Sequence, residues 1–382
     1  MFENLLGKKP AAQGAVVSID PLCEAIRFCT MNREQSALLT DCVAYRPQKF
    51  DQAFYNQLAA AIAKQLENNP AAELGQTSLI LPDQLFLLDL INVPMIHRKA
   101  MQHSLSLAVE AVYKNAENLN LVTYPVQQTK QAATFGLAGA RRDLLEQLRQ
   151  IFSDNGITVT GITFASNAMV NGAFVLNPKL KDETFLLVDI KESCARFAFV
   201  VRGCTMGYFD LPFGYKILHG DRLVAEDNLF DHRAAELLVL NAKERAKAKN
   251  LTVAGWGETA DTEEADEDTV RKGGRRLPKY MQRPLPETDA GYMYENFRIF
   301  IKWALELIAG NPSIVSLAKL DKVYVNIPAD YVFLLDMTNE ERSENGVDFL
   351  PLLTDSGNFA FGDDLELYGG FFLGQYNEAN TF

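Results

Sequence analysis

The sequence predicts an α/β protein of two lobes, each opening on an antiparallel meander, and two observations carry that reading. AVVSIDPLCEAIRF (Ala15 to Phe28) and TFLLVDIKESCARF (Thr184 to Phe197) each run as an apolar strand that ends in aspartate and then restarts. Asp20 precedes Arg27-Phe28 by the same interval that separates Asp189 from Arg196-Phe197, so the second stretch repeats the first. The other observation is length: 382 residues exceed one small core and call for two to four domains or subdomains. A hydrophobic content of 48% with ordinary charge density belongs to a folded chain.

The elements follow in order. After the first aspartate turn, Gln35 to Tyr45 reads as the third strand of the meander. In Asp51 to Glu67, Phe54, Leu58, Ala61, Ile62, Gln65 and Leu66 recur at helical intervals, and Asn68-Asn69-Pro70 ends the helix. Thr77 to Val93 is two strands broken at Pro82-Asp83. A helix from His97 to Tyr113 puts Met101, Leu105, Ala108, Val109 and Val112 on one face. Leu121 to Gln128 and Ala132 to Ala140 alternate as strands. Asp143 to Asn155 is a helix closed by Gly156, Ile157 to Thr163 a short strand, and Asn167 to Leu176 a helix before the second lobe. Phe185 to Asp189, Cys194 to Arg202 and Thr205 to Leu211 form the second meander. Asp231 to Lys249 is helical, and Leu251 to Thr288 is a charged loop with an acidic run (Glu258 to Asp268) and a basic cluster (Arg271 to Arg276). Helix resumes over Tyr292 to Ala309, Lys322 to Asn326 is a strand, and Leu365 to Tyr376 a final helix or turn.

Composition excludes several functions. A net charge of −12 opposes sequence-independent binding to nucleic acid or anionic lipid. The five cysteines (Cys23, Cys29, Cys42, Cys194, Cys204) contain no CxxC pair, and the four histidines (His97, His103, His219, His232) are scattered, so no metal site is expected. An odd number of thiols without a framework suits a reducing compartment. The start MFENLLGKKP is too polar for a signal peptide, and no run approaches the ~18 apolar residues of a membrane span. The expectation is a soluble, cytoplasmic protein. No GxSxG, P-loop or GxGxxG pattern sits between strand and helix, so no catalytic residue is assigned.

LILPDQLFLLDLINVP, the helix bearing Glu110, GLAGARRDLLEQLRQIFSDNGITVTGI and SNAMVNGAF together resemble the PilM family of pilus-assembly proteins, actin-like relatives of FtsA. Arg141, Gly156 and Val159 match the family's pattern, as do FLLVDI, Gly203 and LPFGY (Leu211 to Tyr215) in the second meander. The resemblance implies a two-lobed actin-like fold (a duplicated ribonuclease H-like unit) with an inserted 1C-type α+β subdomain. Its implied parts are subdomain 1A over 1–76 and 163–182, 1C over 77–162, 2A over 183–225 and 320–382, and 2B over 226–319 with the charged insertion near 251–288.

Nucleotide-binding relatives grip phosphate with glycine-rich turns after both aspartates, because a residue without Cβ lets backbone amides close on phosphate oxygens. Here Asp20 is followed by Pro21, which has no N–H to donate. Asp189 is followed by Ile190 and Lys191 in place of glycine, with Ser193 retained. The strand ending at Asn326 runs into Ile327-Pro328 instead of a Gly-Gly pair. Asp20, Pro21, Asp189, Lys191, Ser193 and Asn326 therefore mark degenerate nucleotide loops, with Asp20 and Asp189 read as turn formers. Gly369-Gly370 stand where the family's last helix begins near the cleft, and close helix packing explains them equally well. The implied function is a non-enzymatic cytoplasmic scaffold of a type IV pilus or secretion assembly, held at the inner face of the membrane through a partner. It grips the cytoplasmic N-terminal peptide of a PilN-like bitopic membrane protein in a groove between 1A and 1C, for which no residues are assigned. The alternative is an ATPase that polymerises or changes shape with Mg-ATP. Homo-oligomerisation is left open by the sequence.

Overall fold

A computed structural model of the chain describes residues 14–20, 25–31, 38–44, 52–68, 76–94, 98–113, 116–192, 194–211, 214–215, 294, 297, 320, 322–336, 347–353 and 365–373. The helix read over 231–249, the charged loop over 251–288, and Cys23, Pro21 and Ser193 lie outside them. Of the helix read over 292–309, Tyr294 and Phe297 are described, both helical. The first half runs β1 (Ala15–Asp20), β2 (Ala25–Met31), β3 (Leu38–Ala44), α1 (Gln52–Asn68), β4 (Gln76–Leu81), β5 (Phe86–Pro94), α2 (Arg98–Val112), β6 (Leu119–Gln128), β7 (Ala132–Arg141), α3 (Arg142–Asp154) and β8 (Thr158–Phe164). Then come α4 (Ala165–Leu176), β9 (Thr184–Ile190), β10 (Ala195–Val201), β11 (Cys204–Leu211), β12 (Lys322–Asn326), β13 (Asp348–Pro351) and α5 (Leu365–Gly370).

Period-two alternation decides what each face of the first sheet does. Ala15, Val17 and Ile19 of β1, Ile26 and Phe28 of β2, and Leu79 and Leu81 of β4 enter one core with Leu58 and Ile62 of α1 and Leu144, Leu148 and Phe152 of α3. The intervening Val16, Cys29 and Ile80 point to the opposite face, against Ala165, Ala168 and Leu367. The sheet order is β3-β2-β1-β4-β8, antiparallel from β3 to β1 and parallel from β1 to β8. The second sheet, β11-β10-β9-β12-β13, has the same order and the same directions. Two sheets of identical topology in one chain are the duplicated ribonuclease H-like unit, and the chain has the expected two-lobed actin-like fold.

The inserted block is smaller than the sequence reading gave it. β4 and β8, placed there by the boundaries 77–162, instead pair in the first sheet. A strand parallel to β1 requires a crossover, and α1 supplies one. α3 likewise packs into the lobe-one core. What remains inserted is the three-stranded sheet β5-β7-β6, with α2 on one face through Leu105 and Val109 against Ile91, Val93, Ala133 and Leu137. β13 was not read from the sequence.

α4 and α5 form the layer between the two sheets. Every residue of α4 is buried. The helices touch backbone to backbone: a Cβ on Gly369 would lie 1.9 Å from the Ala168 carbonyl oxygen, and one on Gly172 2.3 Å from that of Leu365. Asn171 Nδ2 donates to the Gly369 carbonyl at 2.7 Å. Close packing is therefore what Gly369 provides. The inserted sheet is fastened to lobe two as well. Tyr124 of β6 lies across Gly136, where a Cβ would meet its ring at 2.2 Å, and its hydroxyl donates to the Thr205 carbonyl of β11 at 3.1 Å. Tyr208 of β11 donates to the carbonyls of Asp83 (2.6 Å) and Phe86 (3.2 Å). These hydrogen bonds join β11, the outermost strand on its side of the second sheet among the described residues, to the inserted block and the turn before it.

Candidate functional site

The same alternation that builds the cores aims polar side chains into the space between the lobes. Ser18 and Asp20 share a face of β1, and Arg27 of β2 stands opposite Ser18 in the ladder. In lobe two, Arg196 of β10 stands opposite Asp189 of β9 on one side and Asp210 of β11 on the other. The two arginines of the sequence repeat therefore reach one interlobe cluster from two sheets, although Arg27 faces a serine and Arg196 an aspartate.

Arg196 is the centre of it. Its guanidinium donates to Asp20 Oδ2 at 3.2 Å and to Asp210 Oδ1 at 3.1 Å, lies 3.3 Å from Asp83 Oδ2, and pairs with Glu366 of α5. A guanidinium has five donors in a planar fork, so it serves several carboxylates where an ammonium would serve fewer. Glu366 is the opposite pole. Its carboxylate meets Arg27, Arg196 and, at 3.0 Å, Lys191 Nζ, and accepts from Ser18 Oγ at 3.4 Å. Arg27 Nη2 also donates to Ser18 Oγ at 3.2 Å and lies 3.8 Å from Asp20. The side chain of Glu366 is 0% exposed and that of Arg196 is 3% exposed, so these pairs sit out of water.

Asp83 opens the turn after β4 and faces the N-terminus of α4, where its carboxylate accepts from the Ser166 amide at 2.8 Å and the Ser166 hydroxyl at 2.9 Å. Burial and the nearby Asp210 push its carboxyl up to about 8, against the opposing pull of Arg196 and the Ser166 bonds. Burial also raises Asp210, with Arg196 opposing and Asp20 adding to it. Burial disfavours the Arg196 charge, but Asp20, Asp210 and Asp83 more than offset that and hold it well above the ordinary arginine value. Tyr208 is raised by burial and by Asp83 and Asp210. Three basic side chains, Arg27, Lys191 and Arg196, thus meet the carboxyl groups of Asp20, Asp83, Asp210 and Glu366 in one buried cluster.

Of the sequence-derived positions, the structure brings Asp20 and Lys191 into this cluster. Asp189 and Asn326 pair beside it across β9 and β12, Asn326 Nδ2 donating to Asp189 Oδ1 at 2.7 Å. Asp20 is more than a turn former, since it holds Arg196 across the lobes. Behind Lys191 the backbone is closed. Its N–H donates to the Cys194 carbonyl at 2.9 Å, and its carbonyl accepts from the Tyr215 amide at 2.8 Å. Gly214 fits there only without a side chain, because a Cβ would lie 1.9 Å from the Lys191 oxygen. Asp83, Asp210 and Glu366 were not read from the sequence, and Arg27 and Arg196 were read only as markers of the repeat. Their repeated spacing was the available signal. Cys29 and Cys194 are buried, Cys204 half-buried and Cys42 exposed, all as free thiols. Among the described residues no group of three or more His, Cys, Asp or Glu is arranged to hold a metal ion, and no helix is long and apolar enough to cross a membrane.

No protein-family model and no curated protein matches the sequence. Among solved structures the chain is similar to one from a PilM-PilN type IV pilus biogenesis complex, with TM-score 0.52 and 13% identity over 95% of this chain and 96% of that one. It also matches the cytoplasmic domain of EpsL, an inner-membrane component of the Vibrio cholerae type II secretion system, with TM-score 0.36 and 13% identity over 57% of this chain and 76% of that one. The fold is therefore PilM-like over nearly the whole length.

Proposed function

We propose that this chain is a cytoplasmic scaffold of a type IV pilus or related secretion assembly, working without nucleotide and without catalysis. One observation carries the proposal: among the described residues, the basic side chains between the lobes are engaged by the protein's own carboxylates. Lys191 stands on Glu366, the amide of Lys191 is spent on Cys194, and Arg27 and Arg196 are committed to carboxylates. A nucleotide phosphate entering among these residues would have to compete with Glu366 for Arg27, Lys191 and Arg196, which supports a scaffold that works without nucleotide. The fold shared with a chain of the PilM-PilN complex supports the partner. The scaffold binds the cytoplasmic N-terminal peptide of a PilN-like bitopic membrane protein between lobe one and the inserted sheet, and is held at the membrane through it. A preformed groove needs pockets and backbone partners for such a peptide, not chemistry.

Calorimetry on the purified chain tests both halves. Mg-ATP should give no saturable heat with the native protein or with Lys191→Gly. The cytoplasmic N-terminal peptide of the bitopic protein encoded beside it should bind without nucleotide. Micromolar ATP binding by the native chain would replace this reading with that of a nucleotide-switched ATPase, and absence of peptide binding would remove the partner.

A further inference from the structure

We propose that Glu366 is a built-in anion: its carboxylate fills an interlobe site formed by Arg27, Lys191 and Arg196, and so latches the two lobes together with no separate ligand. This goes beyond the scaffold reading and does not depend on which partner the scaffold binds. The three cations come from β2 of lobe one, the turn after β9 and β10 of lobe two, and all converge on one carboxylate. Glu366 touches all three, whereas Asp20 pairs with Arg196 and Arg27, and Asp83 and Asp210 pair with Arg196. Ser18 Oγ completes the cradle from lobe one. The side chains of the three cations are between 3% and 9% exposed and that of Glu366 is 0% exposed, so bulk water neither screens nor replaces the contact.

The delivery of Glu366 is equally constrained. It sits on α5, whose backbone is pressed against α4 at Gly172 and Gly369 and tied there by Asn171. Gly370, one turn on, meets Val16 and Ile80 of lobe one, where a Cβ would lie 2.7 Å from Val16 and 2.9 Å from Ile80. The helix can present its carboxylate to the cations only while it touches both sheets. Seating the anion and closing the lobes are the same event.

The test is chemical rescue. Glu366→Ala removes the atoms of an acetate ion and leaves the three cations without their shared partner. The variant should melt well below the native protein. Acetate, but not chloride at equal ionic strength, should raise its melting temperature saturably and recover at least half of the loss, with no effect on the native chain. Glu366→Gln, which has no charge and leaves no cavity, should melt low and not respond. Small-angle scattering should show Glu366→Ala expanded in chloride and contracted in acetate. If Glu366→Ala cannot be purified folded, refolding from urea in acetate against chloride replaces the melt, and acetate should raise the yield several-fold. Equal behaviour of Glu366→Ala in the two salts, or a variant as stable and compact as the native protein, would overturn the proposal.

Discussion

Arg196 shows how much of this molecule depends on single side chains. Four carboxyl groups converge on it, and its removal would leave those of Asp20, Asp83, Asp210 and Glu366 buried around a void without their shared partner. Breaking a buried pair from one side costs about 3–5 kcal/mol, so Arg196→Ala should lower the urea midpoint by that equivalent. Arg196→Lys, which keeps charge but not the fork, should recover only part of it. Asp83 supplies a pH signature. Its folded pKa, about 8, lies above the unfolded carboxylate value of about 3.9, so its contribution is fully present below the unfolded value. That contribution is lost as pH rises through the folded one. Relative to Asp83→Asn, which stays neutral, the native protein should lose on the order of 4 kcal/mol between pH 5 and pH 8. Parallel urea midpoints for the two proteins across that range would show that Asp83 is ionised throughout.

At the level of elements, the α4–α5 crossing is the most exacting contact. Gly369→Ala would place a methyl 1.9 Å from the Ala168 oxygen, and with backbone on both sides the helices must separate. A loss of about 1–3 kcal/mol or more is expected in urea melts. Gly156→Ala is the control. Gly156 has φ +75° with open space around its Cβ, so only the left-handed backbone is penalised, by about 1 kcal/mol. Tyr124→Phe should cost about 1 kcal/mol and speed hydrogen exchange in β11, since it removes the bond from the inserted sheet to Thr205. Much of this architecture was legible because strand alternation and the Asp-to-Arg spacing are local signals that fix facing directions. Lys322–Asn326 emerged with the bounds read for it. β13 did not, because DFLP is four residues with a proline, too short for a period to register. β4 and β8 were misassigned because parallel pairing leaves no adjacent hairpin to read. Glu366 went unread, since nothing near it in sequence names partners so far upstream as Ser18 or Arg27. Lys191 was read for the glycine it replaced, and its carboxylate partner is equally invisible locally.

For the whole molecule, the duplicated sheets, the shared helical layer and the ion cluster make one body whose halves cannot be completed separately. Lobe one supplies Arg27, Ser18 and Asp20, but the carboxylate that neutralises Arg27 belongs to the last described helix. Ser18 and Glu366 are 348 residues apart. A ribosome adding roughly 5–20 residues per second needs on the order of tens of seconds to cover that distance. Throughout that interval the newborn first lobe carries an arginine with no Glu366 to meet it, beside apolar surface meant for α5. Lobe one is thus synthesised well before α5, the helix whose carboxylate its Arg27 meets and whose Gly370 rests on its Val16 and Ile80.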